Sequence, residues 1–443
     1  MRTPERTVLL AFVCAIAILL RAGFVAQTYV KDPLRTDAGQ YAQYSHNVVH
    51  HGVYSLDEGP DPQPDSFRSP GYPALLAAVR WVAGEDDWYE WARWLQVALG
   101  VAMVPLSFLL ARTALRDGPA LIVAGLVALS PHLVACTGYI LTETLCGLLL
   151  LLALWFTVRM AEGKGRLAAI AAGVTLAFAA LTNEALVLLP LPLLWLLRRR
   201  VGWRGMTAFG AAFLLIMGAW TARNQVLVKD PARSGSYRAL ITLSHGTYPG
   251  WVYQSEASRF SAYLEDPEQP SFGTSWSRFR EVMAERVRER PLRYLSWYLL
   301  EKPYWLWSWS ILQGQGDVYV FPVADSLYET QAAANATRLL MKGLHPAILV
   351  LLFLGLVRWL WRARTHRVAV DVLGATLVYV TAVYVVFAPW PRYSIPLRPE
   401  LYLFAVWTAV HVARRCYRSF KRRNAVCCSS RSTTSTNSAV PSS

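Results

Sequence analysis

The acids and arginines that could do chemistry in this chain are few, and none sits deep inside an apolar segment. Asp37 stands in "RTDAGQYAQY", just past the first membrane-length apolar block. Arg68 follows in "FRSPGYPALLA", Glu143 in "GYILTETLCG", Glu184 in "LTNEAL", Arg223 in "GAWTARNQ", and Arg392 and Glu400 in "PRYSIPLRPELY". One carboxylate among several arginines suits a displacement with an anionic leaving group. The carboxylate takes a proton from an acceptor hydroxyl, and the arginines hold a phosphate, often through both guanidinium arms. Asp37 also has a purely structural reading. With Gln40 three residues on it forms a capping-box pattern, opening a helix on which Tyr41, Tyr44 and Val48 share one face. The two roles are compatible.

The elements that must position these residues are membrane spans. The chain of 443 residues is 54% hydrophobic and only 16% charged, and its apolar residues come in long blocks. Such blocks cross a bilayer as helices, because lipid offers no partner to a bare backbone N–H or C=O. The spans are expected at Thr7–Ala26, Trp91–Ala111, Pro119–Gly138, Ile140–Val158, Leu167–Leu181, Ala185–Leu197, Gly205–Leu227, His345–Trp361, Val368–Phe387 and Leu401–Val412, about ten in all. The first could pass for a signal peptide, but the charges of the later loops require an uncleaved helix with its N-terminus inside. The fold class is therefore an all-α polytopic membrane protein. It comprises a transmembrane unit over 1–413, outer loops over 27–90 and 228–344, and a basic, then Ser/Thr-rich tail over 414–443 read as disordered. "LTNEAL" joins two short spans and is expected to lie below the outer surface, with Glu184 in a recess.

The net charge of +15 would suit a nucleic-acid partner, but its distribution excludes one. Arginines cluster in short connections such as "RMAEGKGR", "RRRVGWR" and "ARRCYRSFKRR", whereas over 27–90 four basic residues face ten acids. That asymmetry puts both termini and the basic connections in the cytoplasm and the acidic loop outside. The acids and arginines named above then collect at one outer level, with no charged path across. In the second outer loop, "SWSRFREVMAERVRER" reads as an amphipathic helix with Phe279, Val282, Met283 and Val287 on one face. "PLRYLSWYLLEKPYWLWSWSILQ" is apolar enough to span, but spanning would invert the charge rule for everything after it, so it is read as lying in the membrane surface. The six cysteines show neither disulfide nor metal spacing. His46, His50 and His51 are grouped as ligands would be, although solvated loop histidines are the commoner case.

These segments resemble, in order, the signatures of the GT-C glycosyltransferases. "TDAGQYAQYSHNVVHHGVYS" resembles the first-loop signature. "FRSPGYPALLA", "GYILTETLCGLLLLLAL", "LTNEALVLLPLPLL", "GAWTARNQ" and "PRYSIPLRPELYLFAV" resemble the segments that follow it. The likeness covers about 8–412 and is nearest the branch of protein O-mannosyltransferases and lipid A aminoarabinose transferases. It implies transfer of a sugar from a polyprenyl-phosphate donor to an extracytoplasmic acceptor, with inversion, at the outer face of a cell membrane. It implies Asp37 as catalytic base and Arg68 as a donor-phosphate ligand. Tyr41, Tyr72, Glu143, Glu184, Arg223, Arg392 and Tyr393 are candidates for binding donor phosphate or sugar. A divalent metal is left open. Asn183 departs from the arginine usual before Glu184, "APWPRYS" lacks the acid usual before Arg-Tyr, and no second acid adjoins Asp37, which sets the chain apart from the O-mannosyltransferases. A transporter or flippase of lipid-linked sugars would use the same arginine–phosphate contacts without a base.

Overall fold

Nearly every apolar block forms a helix. The computed structural model describes residues 3–249, 251, 266–273, 275–311, 316–361 and 367–432, with side chains from 4 to 417 among them. The chain runs through α1 (Thr3–Gln27), α2 (Asp37–His50), α3 (Gly71–Ala83), α4 (Trp88–Arg112), α5 (Asp117–Leu129), α6 (Pro131–Ala135), α7 (Glu143–Ala161), α8 (Arg166–Thr182), α9 (Pro190–Leu197) and α10 (Trp203–Leu227). The second large loop holds α11 (Gly235–Gly246), α12 (Gln269–Phe272), α13 (Trp276–Glu289), α14 (Pro291–Ser296) and α15 (Lys302–Leu306). The chain closes with α16 (Leu327–Thr330), α17 (Ala332–Trp361), α18 (Val368–Val386) and α19 (Arg398–Ser432). A two-stranded antiparallel ribbon pairs β1 (Tyr29–Val30) with β2 (Val323–Ala324), tying the start of the first loop to the end of the second.

Among the described residues six helices are long and apolar enough to cross a bilayer: α1, α4, α7, α10, α17 and α18. The expected span Pro119–Gly138 is a pair of helices bent by 48°. The two short spans remain short: α8 has 17 residues and α9 only 8, the latter preceded by a 3₁₀ turn at Glu184–Leu186. At 1.5 Å per residue α9 rises about 12 Å, so the count of about ten includes an element that does not cross on its own. Residues 291–311 break into α14, a π-helical turn at Trp297–Glu301 and α15, and none is of span length. Lys302 turns back from α15 and donates to the carbonyls of Val385 and Phe387 at 2.7 Å, closing the C-terminal end of α18. On α13 Phe279 and Val282 are buried as the pattern requires, whereas Val287 is exposed. The tail differs from expectation. The helix at the expected last span, α19, continues through the basic segment to Ser432, and 433–443 lie outside the described residues.

Two glycines show how closely the elements that carry the polar residues approach. A Cβ on Gly71, at the start of α3, would lie 2.5 Å from Thr182 Oγ1 and 2.8 Å from the Leu181 carbonyl. The "SPGYP" turn therefore rests directly on the end of α8, next to Glu184. A Cβ on Gly147 would meet the Pro396 carbonyl at 3.2 Å. α7 can thus lie against the 3₁₀ segment Pro391–Leu397, bringing Glu143 and Arg392 together.

Candidate functional site

The site is built around the first turn of α2. Thr36 precedes the helix with φ +49°, a left-handed conformation costly for a β-branched residue. It makes no side-chain cap, and Asp37 is already inside the helix. The capping box expected of Asp37 and Gln40 does not form. Instead Asp37 Oδ1 accepts from Arg68 Nη2 and Oδ2 from Arg392 Nη2, each at 2.5 Å. Gln40 Oε1 accepts from Arg68 Nε at 2.6 Å and fixes that guanidinium from the other side. Arg392 is nearly fully buried, and its Nε faces Glu143 Oε1 at 3.0 Å. A chain of charges, Arg68–Asp37–Arg392–Glu143, thus links four segments distant in sequence. Burial alone would raise the Asp37 carboxyl, but Arg392 and Arg68 beside it outweigh burial and hold it well below the usual carboxylate range.

A cavity of about 460 Å³ opens against this chain, lined by Tyr41, Arg68, Glu143, Glu184, Arg392 and Tyr393 among the expected residues. Its volume is within the range of small-molecule sites. Asp37 stands behind the two arginines rather than on the cavity wall. Tyr41 lies beneath Arg68, whose guanidinium is 5.6 Å from the ring centre. Tyr393 stacks between Tyr384 and Trp390, with ring centres at 4.8 and 5.9 Å. The far side is apolar, formed by Val187, Leu188, Val383 and Phe387. Leu188 is also exposed on the outside of the bundle.

Two expected residues lie elsewhere. Arg223 turns into the first loop, donating to the Asp65 carbonyl at 2.5 Å and the Tyr54 carbonyl at 3.1 Å, over the ring of Trp220. Its role there is to pin the loop. Tyr72 is fully buried, donates to Gln96 at 3.1 Å and packs edge-on against Tyr41, so it supports the wall without reaching the cavity. Glu400 is likewise buried and does not line it.

One residue was not legible. Arg238, on α11, lines the cavity and forms an ion pair with Glu184. It restores in space the basic partner that Asn183 fails to supply in sequence, while Asn183 bonds instead to the Tyr384 hydroxyl at 2.9 Å. The three acids at the site are therefore each matched by arginine: Asp37 by Arg68 and Arg392, Glu143 by Arg392, Glu184 by Arg238. Guanidinium groups occupy the positions a divalent cation would need, so this donor set fits an anion better than a metal.

Residues 67–221 match the family model described as dolichyl-phosphate-mannose-protein mannosyltransferase, a stretch that contains Arg68, Glu143 and Glu184. ArnT from Cupriavidus metallidurans in the apo state superposes over 95% of this chain and 62% of its own, at 14% identity and a TM-score of 0.51. The chain has the GT-C glycosyltransferase fold. The archaeal oligosaccharyltransferase AglB from Archaeoglobus fulgidus, in complex with an inhibitory peptide and a dolichol-phosphate, is 13% identical over 95% of this chain and 52% of its own, with a TM-score of 0.49. The chain spans about half the length of that oligosaccharyltransferase. No protein of curated function matches it by sequence.

Proposed function

We propose that the protein is an inverting membrane glycosyltransferase that moves a sugar from a polyprenyl-phosphate carrier to an acceptor outside the cytoplasm. The observation that carries this reading is the convergence of Arg68 and Arg392 on one wall of a cavity, with Asp37 bonded to both directly behind them, while the other wall is apolar and reaches the outside of the bundle at Leu188. The donor phosphate would lie against Arg68 and Arg392, with Arg238 a third cation held by Glu184, and the prenyl chain along Val383 and Phe387. The acceptor oxygen attacks the anomeric carbon as the bond from that carbon to the phosphate oxygen breaks. The bonding pair leaves with the phosphate, whose growing charge the arginines neutralise. The acceptor proton passes to Asp37. A single displacement inverts the anomeric centre. The matched family model, named for a dolichyl-phosphate-sugar donor, supports this donor class.

Asp37 is a weak base while two arginines share it. A donor phosphate that draws Arg68 and Arg392 toward itself releases the carboxylate when an acceptor can use it. The direct test supplies purified protein with a polyprenyl-phosphate donor carrying a labelled sugar and an extracytoplasmic acceptor fraction. The expected result is label on the acceptor with equal release of polyprenyl phosphate. Donor binding with no phosphate release over any acceptor fraction would instead favour a carrier of lipid-linked sugars.

The orientation is tested separately. Glu58 and Gly202 are both exposed. In a background lacking the native cysteines, Glu58→Cys should react with an impermeant maleimide in intact cells, and Gly202→Cys only after the membrane is opened. The opposite labelling would turn the cavity to the cytoplasm.

A further inference from the structure

At the far end of α2 from Asp37, three side chains meet for which the transfer reaction has no use. His46 and His50 are one helical turn apart and share a face, their ring centres 4.4 Å apart. Nine and thirteen residues beyond Asp37, they stand about 14 and 20 Å from it along the helix axis. Glu85 comes to them from the connection after α3. Gly84, with φ +82°, ends that helix and turns the chain back toward α2. Glu85 Oε1 lies 3.2 Å from His46 Nδ1, and Oε2 lies 3.3 Å from His50 Nε2. The three nearest ligand atoms all fall within 4.8 Å of one another.

We infer that His46, His50 and Glu85 form a binding site for a zinc-class divalent cation, one that ties α2 to the connection between α3 and α4. Two imidazoles and a carboxylate are a nitrogen–oxygen set that zinc accepts, with water in the fourth position. Metal–ligand bonds near 2.0–2.2 Å place tetrahedral ligand atoms about 3.3 Å apart. Each imidazole is already at that spacing from one carboxylate oxygen, His46 from Oε1 and His50 from Oε2, and the set closes on a single ion by side-chain rotation of groups that are half-buried or exposed.

The carboxylate is held from behind. Arg80 is almost fully buried, stacks over Trp88 at 4.2 Å, donates to Ser45 Oγ at 3.3 Å and pairs with Glu85. It fixes the orientation of the ligand oxygens, as partners behind a metal ligand commonly do. Its charge also lowers the affinity, so the site suits a cation that gains from imidazole nitrogen more than one that needs several carboxylates. His51, whose ring is 6.2 Å from that of His46, is exposed and outside the triplet. At the cavity, by contrast, arginine matches every acid; here two imidazoles add nitrogen ligands to the one carboxylate.

The site joins α2, which carries Asp37, to the connection that follows α3, the helix after Arg68, so the cation would stiffen the scaffold of the cavity without touching it. The test uses the full chain, purified without a histidine tag, stripped with EDTA and reloaded with zinc or cobalt. Wild type should retain about one metal per chain after desalting and gain a higher thermal midpoint on loading. Its cobalt form should show visible absorption bands from imidazole coordination. His46→Ala, His50→Ala and Glu85→Gln should each weaken binding on the order of a hundredfold or more, beyond the usual effect of losing an outer partner. The midpoints of the two histidine variants in EDTA should stay near that of wild type in EDTA, and His51→Ala should load normally. Wild type that retains no metal, or a His46→Ala/His50→Ala double variant that retains as much as wild type, would reduce the cluster to a hydrogen-bonded clip. Loss of metal in His51→Ala would overturn the assignment of the three ligands.

Discussion

Asp37→Asn should leave a normally inserted and normally abundant protein whose transfer rate is about 10²–10⁴-fold lower, the usual contribution of a general base. The substitution keeps the shape and one acceptor oxygen but removes the charge and the capacity to take a proton. The two arginines are not stranded by it. Arg68 retains Gln40 at 2.6 Å, and Arg392 retains Glu143 at 3.0 Å. The helix start does not depend on an Asp37 cap, because no such cap is made. Asp37→Glu should retain more activity than Asp37→Asn, limited by its extra methylene. Transfer from a purified labelled donor, with protein level and thermal midpoint as controls, decides the matter; near-normal transfer by Asp37→Asn would move the base to Glu143 or Glu184.

The pH profile gives a second reading of the same residue. In the free protein Arg392 and Arg68 hold the Asp37 carboxyl below the usual carboxylate range against the effect of burial. A base with a depressed pKa stays ionised until the pH falls through that low value, so kcat/KM, which reports the free enzyme, should show no acid limb above about pH 4 from this group. Once a donor phosphate shares the arginines, the carboxyl moves back upward. The acid limb of kcat, which reports the bound complex, should therefore lie at higher pH than that of kcat/KM. Coincident limbs would mean that the phosphate leaves both arginines on Asp37.

The fold was legible because lipid imposes one solution on long apolar blocks, and α1, α4, α7, α10, α17 and α18 form where those blocks lie. The level at which Asp37, Arg68, Glu143, Glu184 and Arg392 gather was legible too, since each sits at the end of such a block. What the sequence does not encode locally is direction. An arginine at a helix end looks alike whether it faces a cavity, as Arg392 does, or two loop carbonyls, as Arg223 does. Tyr72 and Tyr41 are both tyrosines in signature segments, yet only Tyr41 reaches the cavity. Arg238 escaped because α11 belongs to a loop that resembles no signature segment, and its partner Glu184 is 54 residues away. The first part of the tail, to Ser432, differs from expectation for another reason. Its composition suits a solvated chain, but it continues a helix already nucleated in the span, and extending a helix is far cheaper than starting one.

Arg392 should prove the costliest residue to remove, because it serves the fold and the reaction together. It is nearly fully buried between Asp37 and Glu143, and Glu143 is buried with it. Arg392→Ala strands the buried Glu143 carboxylate, and breaking a buried pair in this way typically costs about 3–5 kcal/mol. The thermal midpoint should fall steeply, and transfer should be lost through both the vanished phosphate contact and the loosened wall. Those two losses can be separated. Adding Glu143→Gln to Arg392→Ala removes the uncompensated charge, so the double variant should recover much of the lost stability, a coupling expected of residues in direct contact. It should not recover transfer, because the guanidinium that would take up the phosphate's charge is still missing. Arg392→Lys should fall between, since it keeps a point charge but cannot reach Asp37 and Glu143 at once with a rigid fork. A double variant that regains stability and transfer together would show that Arg392 only neutralises Glu143, leaving the donor phosphate to Arg68 and Arg238.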